Sequence, residues 1–379
     1  MLVDIKYYLF LLVVAGIYYI IPKQRIRVWW LSIASLSFIS YYDWKSAIFV
    51  VILSIVSYSF GFKIEKTKSK LLLRIGIVTL LLTLVLGKYF GLLSTSINNI
   101  AEFFKLLPVF KIDKLFLPLG ISYIVFKHIS YITDVYWGLV KKGSSPGFLS
   151  YSSLFTIYIA GPIERFEKYW PQVCEAPHKL SGDDIGFSFK RIVFGLSKKL
   201  IIADWLGYYI AKNTGTTQGL DSIIILLCFS LQIYFDFAGY SDIAIGSSRL
   251  FGIKIGENFN NPYLRSNISS FWRNWHISLS DWIRDYLFFP LSSFNRSKVW
   301  NLVFVPIIAM GLCGFWHGAK WSFLVWGIWH GIGIAIYQLW QQFKRKNKKN
   351  VTFTKSKAWT YFSALLTFAF VTVGWLWFK

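Results

Sequence analysis

Acidic residues are scarce in this 379-residue chain: 18 Asp and Glu stand against 41 Lys and Arg, and charged residues of both signs make up only 16%. Soluble domains carry about 25%, so a water-soluble fold is excluded. Cysteine is rarer still. Cys174, Cys228 and Cys313 are odd in number and lack paired spacing, which gives no support to a disulfide framework or a zinc site. Also missing are a Gly-x-Ser-x-Gly elbow, a phosphate loop ending in Gly-Lys-Ser/Thr, a His-Glu-x-x-His pair and a Gly-x-Gly-x-x-Gly turn. Serine-hydrolase, nucleotide-hydrolase, zinc-peptidase and dinucleotide readings therefore have nothing to stand on.

Apolar residues, by contrast, are 55% of the chain and aromatic ones 20%. Ten apolar runs fall at 7–21, 28–42, 46–62, 71–90, 116–138, 190–211, 220–247, 299–316, 321–341 and 358–378. Runs of this length read as membrane spans. The expected fold class is all-α, a polytopic membrane protein of about ten or more helices, with 1–379 forming one domain. The first run lacks a basic leader and a small-residue cleavage site, so it is expected to remain as a span.

The formal charge of +23 does not indicate nucleic acid, because the basic residues sit in short gaps between apolar runs. Lys23, Arg25 and Arg27 follow the first run, only Asp43-Trp44-Lys45 follows the second, and Lys63, Lys66, Lys68 and Lys70 follow the third. This alternation places the amino terminus outside. The same count brings Lys141 and Lys142, and later the run Lys344 to Lys349, to the cytoplasmic side.

Three stretches do not read as spans. Residues 150–172 are broken by Gly161-Pro162 and look re-entrant or interfacial. Residues 91–115 read as an outside loop with a short amphipathic piece. Residues 262–290 mix aromatic and charged side chains. Read as one helix, they put Trp272, Trp275, Leu279, Ile283 and Tyr286 on one face and Arg273, Ser280 and Arg284 on another. His276 then lies about 60° from the Arg273 stripe, at the boundary of the two faces.

The chemistry left to such a chain is histidine chemistry. An imidazole with a pKa near 6.5 can take a proton from a hydroxyl and so serve acyl transfer without an enzyme nucleophile. Of the five histidines, His178 reads as a loop residue and His128 as a hydrogen-bonded core residue. His317 stands in Gly314-Phe315-Trp316-His317-Gly318 and His330 in Gly327-Ile328-Trp329-His330-Gly331, spacings that also serve close helix packing. Asp236 and Asp242 are the acids most clearly embedded in an apolar span. They are candidates either to pair with Arg249 or Arg273 or to orient a histidine.

At this point an ordered set of motifs resembles a known family. Leu231 to Asp242 with Ile245-Gly246, Glu257-Asn258-Phe259-Asn260-x-Pro262-Tyr263, Phe271-Trp272-Arg273-x-Trp275-His276-Ile277-Ser278-Leu279-Ser280, Arg284-Asp285-Tyr286-Leu287 and Trp316-His317-Gly318-Ala319 are similar to the membrane-bound O-acyltransferases, in their alginate O-acetylase branch. Upstream, Pro118 to Ser122, Tyr131-x-x-Asp134-Val135-Tyr136, Ala160 to Ile163 and Lys198-Lys199-x-x-Ile202-Ala203-Asp204 extend the likeness over nearly the whole chain.

The resemblance implies helices around a central tunnel in the inner (plasma) membrane, with His317 and His276 catalytic. Asp236, Asp242, Trp275, Trp316, Arg273 and His330 are in support. It implies an acyl-CoA-type donor, acetyl-CoA, on the cytoplasmic side and an extracytoplasmic acyl-accepting protein or polysaccharide, with membrane lipids as surroundings, no nucleic acid, no metal and no bound cofactor. Two departures stand out. Asn274 replaces the family's usual second Arg, and the chain stops at Gly374-Trp375-Leu376-Trp377-Phe378-Lys379, where alginate O-acetylases continue. That length is nearer to teichoic-acid D-alanyl transferases, or marks a truncated chain. D-Alanyl transfer within the family, and a secondary transporter or flippase outside it, are the rival readings.

Overall fold

The computed structural model describes residues 2–105, 116–140, 145–176, 179–213, 219–347 and 352–378. Lys141, Lys142, His178, Lys348 and Lys349 lie outside the described residues. Among those described the fold is all-α, with one isolated antiparallel bridge between Phe259 and Trp275. Six stretches are long and apolar enough to cross a membrane: Gln24–Thr67, Lys70–Phe103, Leu220–Arg249, Trp300–His317, Trp321–Lys346 and Lys357–Trp377. The chain is a multi-pass membrane protein. It gathers into two compact units, residues 1–196 with 239–256, and residues 197–238 with 257–379.

In the first unit α1 spans Ile5–Ile20, opened by the Asp4 carboxylate, which accepts from the Lys6 N–H at 3.0 Å. Helix α2, Gln24–Thr67, is two helices in series, because Asp43 leaves helical geometry at φ −160°. The Asp43 carboxylate accepts from the Lys45 N–H at 3.2 Å and from the Ser46 hydroxyl, capping the second half. The two runs separated by Asp43-Trp44-Lys45 thus emerge as two helices. Helix α3, Lys70–Leu84, passes through a π-helical turn into α4, Phe90–Phe103. The outside loop expected from residue 91 is therefore helical to Phe103, since no proline interrupts Lys70 to Phe103.

Helix α5, Ile121–Trp137, is buried along most of its length, and α6, Ser145–Ser153, and α7, Phe166–Cys174, flank a non-helical stretch around Gly161-Pro162. His128 of α5 is the core histidine expected, fully buried with ring nitrogens 3.0 Å from the Ser57 hydroxyl and 2.8 Å from that of Ser152. Helix α8, Gly182–Leu196, continues through a π-helical turn into α9, Asp204–Asn213. Helix α10, Leu220–Arg249, gives its first part to the second unit and its last turns to the first.

The second unit carries the short helices α11, Ile268–Trp272, α12, Ile277–Ile283, and α13, Phe289–Phe294, then α14, Val305–His317, α15, Trp321–Lys346, and α16, Lys357–Gly374. Residues 262–290 do not form one helix. The chain breaks between α11 and α12 because His276 adopts the left-handed region, φ 44° and ψ 56°. Most of the inward set survives the break: Trp272, Trp275, Leu279 and Ile283 are buried, Tyr286 is half-buried, and Arg273 and Arg284 are exposed.

Candidate functional site

The site lies within the second unit and is built from backbone pairing first. Asn260 N–H donates to Asn274 O at 3.0 Å and Ile277 N–H to Asn258 O at 2.9 Å, so 258–260 runs antiparallel to 274–277 and holds the bend that carries His276. The His276 ring is 1% exposed, edge-on to Phe237 at 4.6 Å, with Nδ1 3.3 Å from Asn258 Oδ1. The same Asn258 oxygen accepts from the Ser278 N–H at 3.3 Å and the Ser278 hydroxyl at 2.7 Å. A backbone N–H can only donate, so the atom it faces is the amide oxygen, and that oxygen in turn requires a proton on His276 Nδ1. Nε2 is left as the basic nitrogen. Burial, reinforced by neighbouring His317, holds this imidazole well below the ordinary 6.5, so it is neutral at physiological pH.

His317 ends α14, and Gly318 leaves the helix extended at φ −161°. Its half-buried ring is framed by Trp316 at 4.8 Å, Trp326 at 5.1 Å and Phe378 at 5.2 Å. What brings α15 so near is glycine. A Cβ added at Gly314 would run into Phe323 O and the Gly327 backbone, one at Gly327 into Met310 O, and one at Gly331 into Ile307 and Pro306. The small-residue spacings at both Trp-His-Gly segments are thus packing devices that also carry histidines.

His330 of α15 is fully buried between Trp326 at 4.9 Å, Trp272 at 5.1 Å and Phe370 at 5.8 Å. Neither of its nitrogens, nor the indole N–H of Trp272 or Trp326, has a hydrogen-bond partner among the described residues. Buried polar groups are rarely left so. Trp326 packs on Trp375 at 5.7 Å, and Trp375 on Trp275 at 5.2 Å, an aromatic box that frames His317 and His330 and reaches the residue before His276.

The acids are held by cations. Asp236 pairs with Lys199 at 2.7 Å, and Lys199 also holds Asp204 at 2.7 Å. Asp242 belongs to the first unit, where Arg191 takes its carboxylate at 2.6 Å, and Arg249 pairs with Asp184 at 2.6 Å. Arg273 is exposed at the end of α11. The group oriented toward a histidine is instead Asn258, within Glu257-Asn258-Phe259-Asn260, a motif whose role could not be assigned without the pairing to 274–277. Trp326, Trp375 and Phe378 were likewise invisible as site residues, being three aromatics among 75 Trp, Tyr and Phe.

The family model for membrane-bound O-acyltransferases matches residues 31–378. The probable alginate O-acetylase of Azotobacter vinelandii is 36% identical over 347 residues, covering 87% of this chain and 66% of that protein. A peptidoglycan O-acetyltransferase of Helicobacter pylori is 32% identical, over 92% of this chain and 70% of that protein. A teichoic acid D-alanyltransferase of Bacillus subtilis is also 32% identical, over 68% of this chain and 67% of that protein. The chain thus spans about two thirds of the length of these relatives.

Proposed function

The chain belongs to the membrane-bound O-acyltransferase family, and we propose that it is an O-acetyltransferase of the plasma membrane. It takes an acetyl group from an acyl-CoA-type donor at the cytoplasmic face and passes it outward for O-acetylation of an exported polysaccharide. We take residues 1–379 as one catalytic domain. The observation that carries the reading is a half-buried His317 framed by Trp316, Trp326 and Phe378 in the same unit as a buried His276 whose basic nitrogen is set by Asn258.

In this reading His317 accepts the proton of the acceptor hydroxyl as its oxygen attacks the thioester carbonyl carbon. The tetrahedral oxyanion collapses, the C–S bond breaks, and the proton passes from the imidazolium to the departing thiolate. The indole donors of Trp272 and Trp326 suit an oxyanion or acyl carbonyl oxygen. Two of the three relatives bear acetyltransferase names, which supports the acetyl group. The teichoic acid relative keeps D-alanyl transfer as the second reading.

His317→Ala is expected to lower acetyl transfer at least about 100-fold, the usual worth of a general base, while the protein still reaches the membrane. Acetyl transfer at the unmodified rate by that variant defeats the assignment. Supplying acetyl-CoA and a D-alanyl-loaded carrier protein in parallel separates the two donors.

A further inference from the structure

Between α15 and α16 lies a cavity of about 580 Å³, outside the histidine box. Its lining runs along α15 from Gly333 to Gln341 and Lys344 and along α16 from Phe370 to Trp359, with the Lys344 end taken as its mouth. From Gly333 to Lys344 α15 rises about 16 Å, close to the roughly 15 Å of hydrocarbon in one leaflet. Along its length the cavity opens past Ile336 and Leu366, which are 61% and 59% exposed. Both helices are long and apolar enough to cross the membrane, so that side meets lipid.

The chemistry of the wall narrows the occupant. The three hydroxyls that α16 gives to the wall are turned onto their own helix: Thr360 donates to Ser356 O at 3.2 Å, Ser363 to Trp359 O at 2.7 Å and Thr367 to Ser363 O at 2.7 Å. Along that wall an amide-bearing chain would find few partners, whereas a hydrocarbon chain forfeits none. The mouth is positively charged and unopposed in sequence, because residues 286–379 contain 11 Lys and Arg and no Asp or Glu. Trp340 and Trp359 line the wall near Lys344, at the depth where indoles settle against headgroups.

We propose that this groove holds an anionic phospholipid of the basic-side leaflet, with its phosphate at Lys344 and an acyl chain reaching Phe370. Phe370 packs on His330, and His330 on Trp326, so the bound chain braces the wall of the aromatic box from outside.

The test uses the full chain in nanodiscs of mixed phosphatidylglycerol and phosphatidylcholine, with either lipid carrying a photoactivatable group at its acyl terminus. Phosphatidylglycerol is expected to label the Gly333 and Phe370 region about fivefold more than phosphatidylcholine, the effect of one lysine near a headgroup. Lys344→Glu and the milder Lys344→Gln are expected to erase that preference, and Ser363→Trp, which fills the groove, to remove labelling by both lipids. Thermal unfolding in phosphatidylcholine alone checks that each variant is folded, and the Lys344→Gln result carries the test if Lys344→Glu is not. Equal labelling by the two lipids, unchanged by either Lys344 substitution, overturns the proposal. So does displacement of the lipid probe by excess acetyl-CoA, which would assign the groove to the donor.

Discussion

At the scale of single residues, the basic nitrogen of His276 is set by a side chain whose own orientation is over-determined. Asn258 Oδ1 receives the Ser278 N–H, the Ser278 hydroxyl and His276 Nδ1, so the tautomer follows from a backbone donor. Asn258→Ala releases the ring. One lost hydrogen bond of about 1–1.5 kcal/mol corresponds to about tenfold in rate, and steady-state kinetics should show that loss in kcat more than in KM. The pH dependence has a definite sign. The folded state holds His276 well below 6.5, so the ring stays neutral until pH falls well under that value. The unfolded chain binds that proton near 6.5, so the contribution of neutral His276 to stability is present above this pH and is lost as pH falls below it. Titration of the His276 ring followed by NMR should therefore have its midpoint below 6.5, and a midpoint above it would contradict a neutral His276.

At the scale of helices, the meeting of α14 and α15 is set by which glycines face which backbone. A methyl at Gly314 collides with main-chain atoms that cannot move aside, while one at Gly311 meets only the Ile328 and Leu324 side chains, both at 3.6 Å. Gly314→Ala is expected to cost about 1–3 kcal/mol through overpacking and to lower activity by shifting His317 against Trp326. Gly311→Ala should be neutral or slightly stabilising, since alanine is the better helix former by about 1 kcal/mol. Thermal unfolding in detergent distinguishes the two, and equal melting temperatures would refute the packing argument. The same principle separates what patterning can and cannot show. Gly-x-x-x-Gly announced close packing in both segments, but which glycine needs its hydrogen became visible only against the partner helix.

At the scale of the whole molecule, α15 has 26 residues and so rises about 39 Å, more than the roughly 30 Å of a hydrocarbon core. Lys320 and Lys346, both exposed, flank it and should emerge on opposite faces. In a background freed of Cys174, Cys228 and Cys313, Lys320→Cys should react with a membrane-impermeant maleimide in intact cells. Lys346→Cys should react only after permeabilisation. The reverse pattern would invert the topology derived from the basic clusters.

Composition and the placement of basic residues sufficed for a helical, multi-pass membrane protein, because hydrocarbon tolerates little but long apolar helices and closed barrels. The ordered motifs sufficed for the family. Residues far apart in the chain came together only on folding: Asn258 beside His276, and Phe378 and Trp326 against His317. The break at His276 had the same origin. The apolar periodicity over 271–286 is satisfied by burying Trp272, Trp275, Leu279 and Ile283 on two short helices and the bend between them. The choice between one helix and two rests on the pairing of 258–260 with 274–277, a non-local contact that no local pattern encodes.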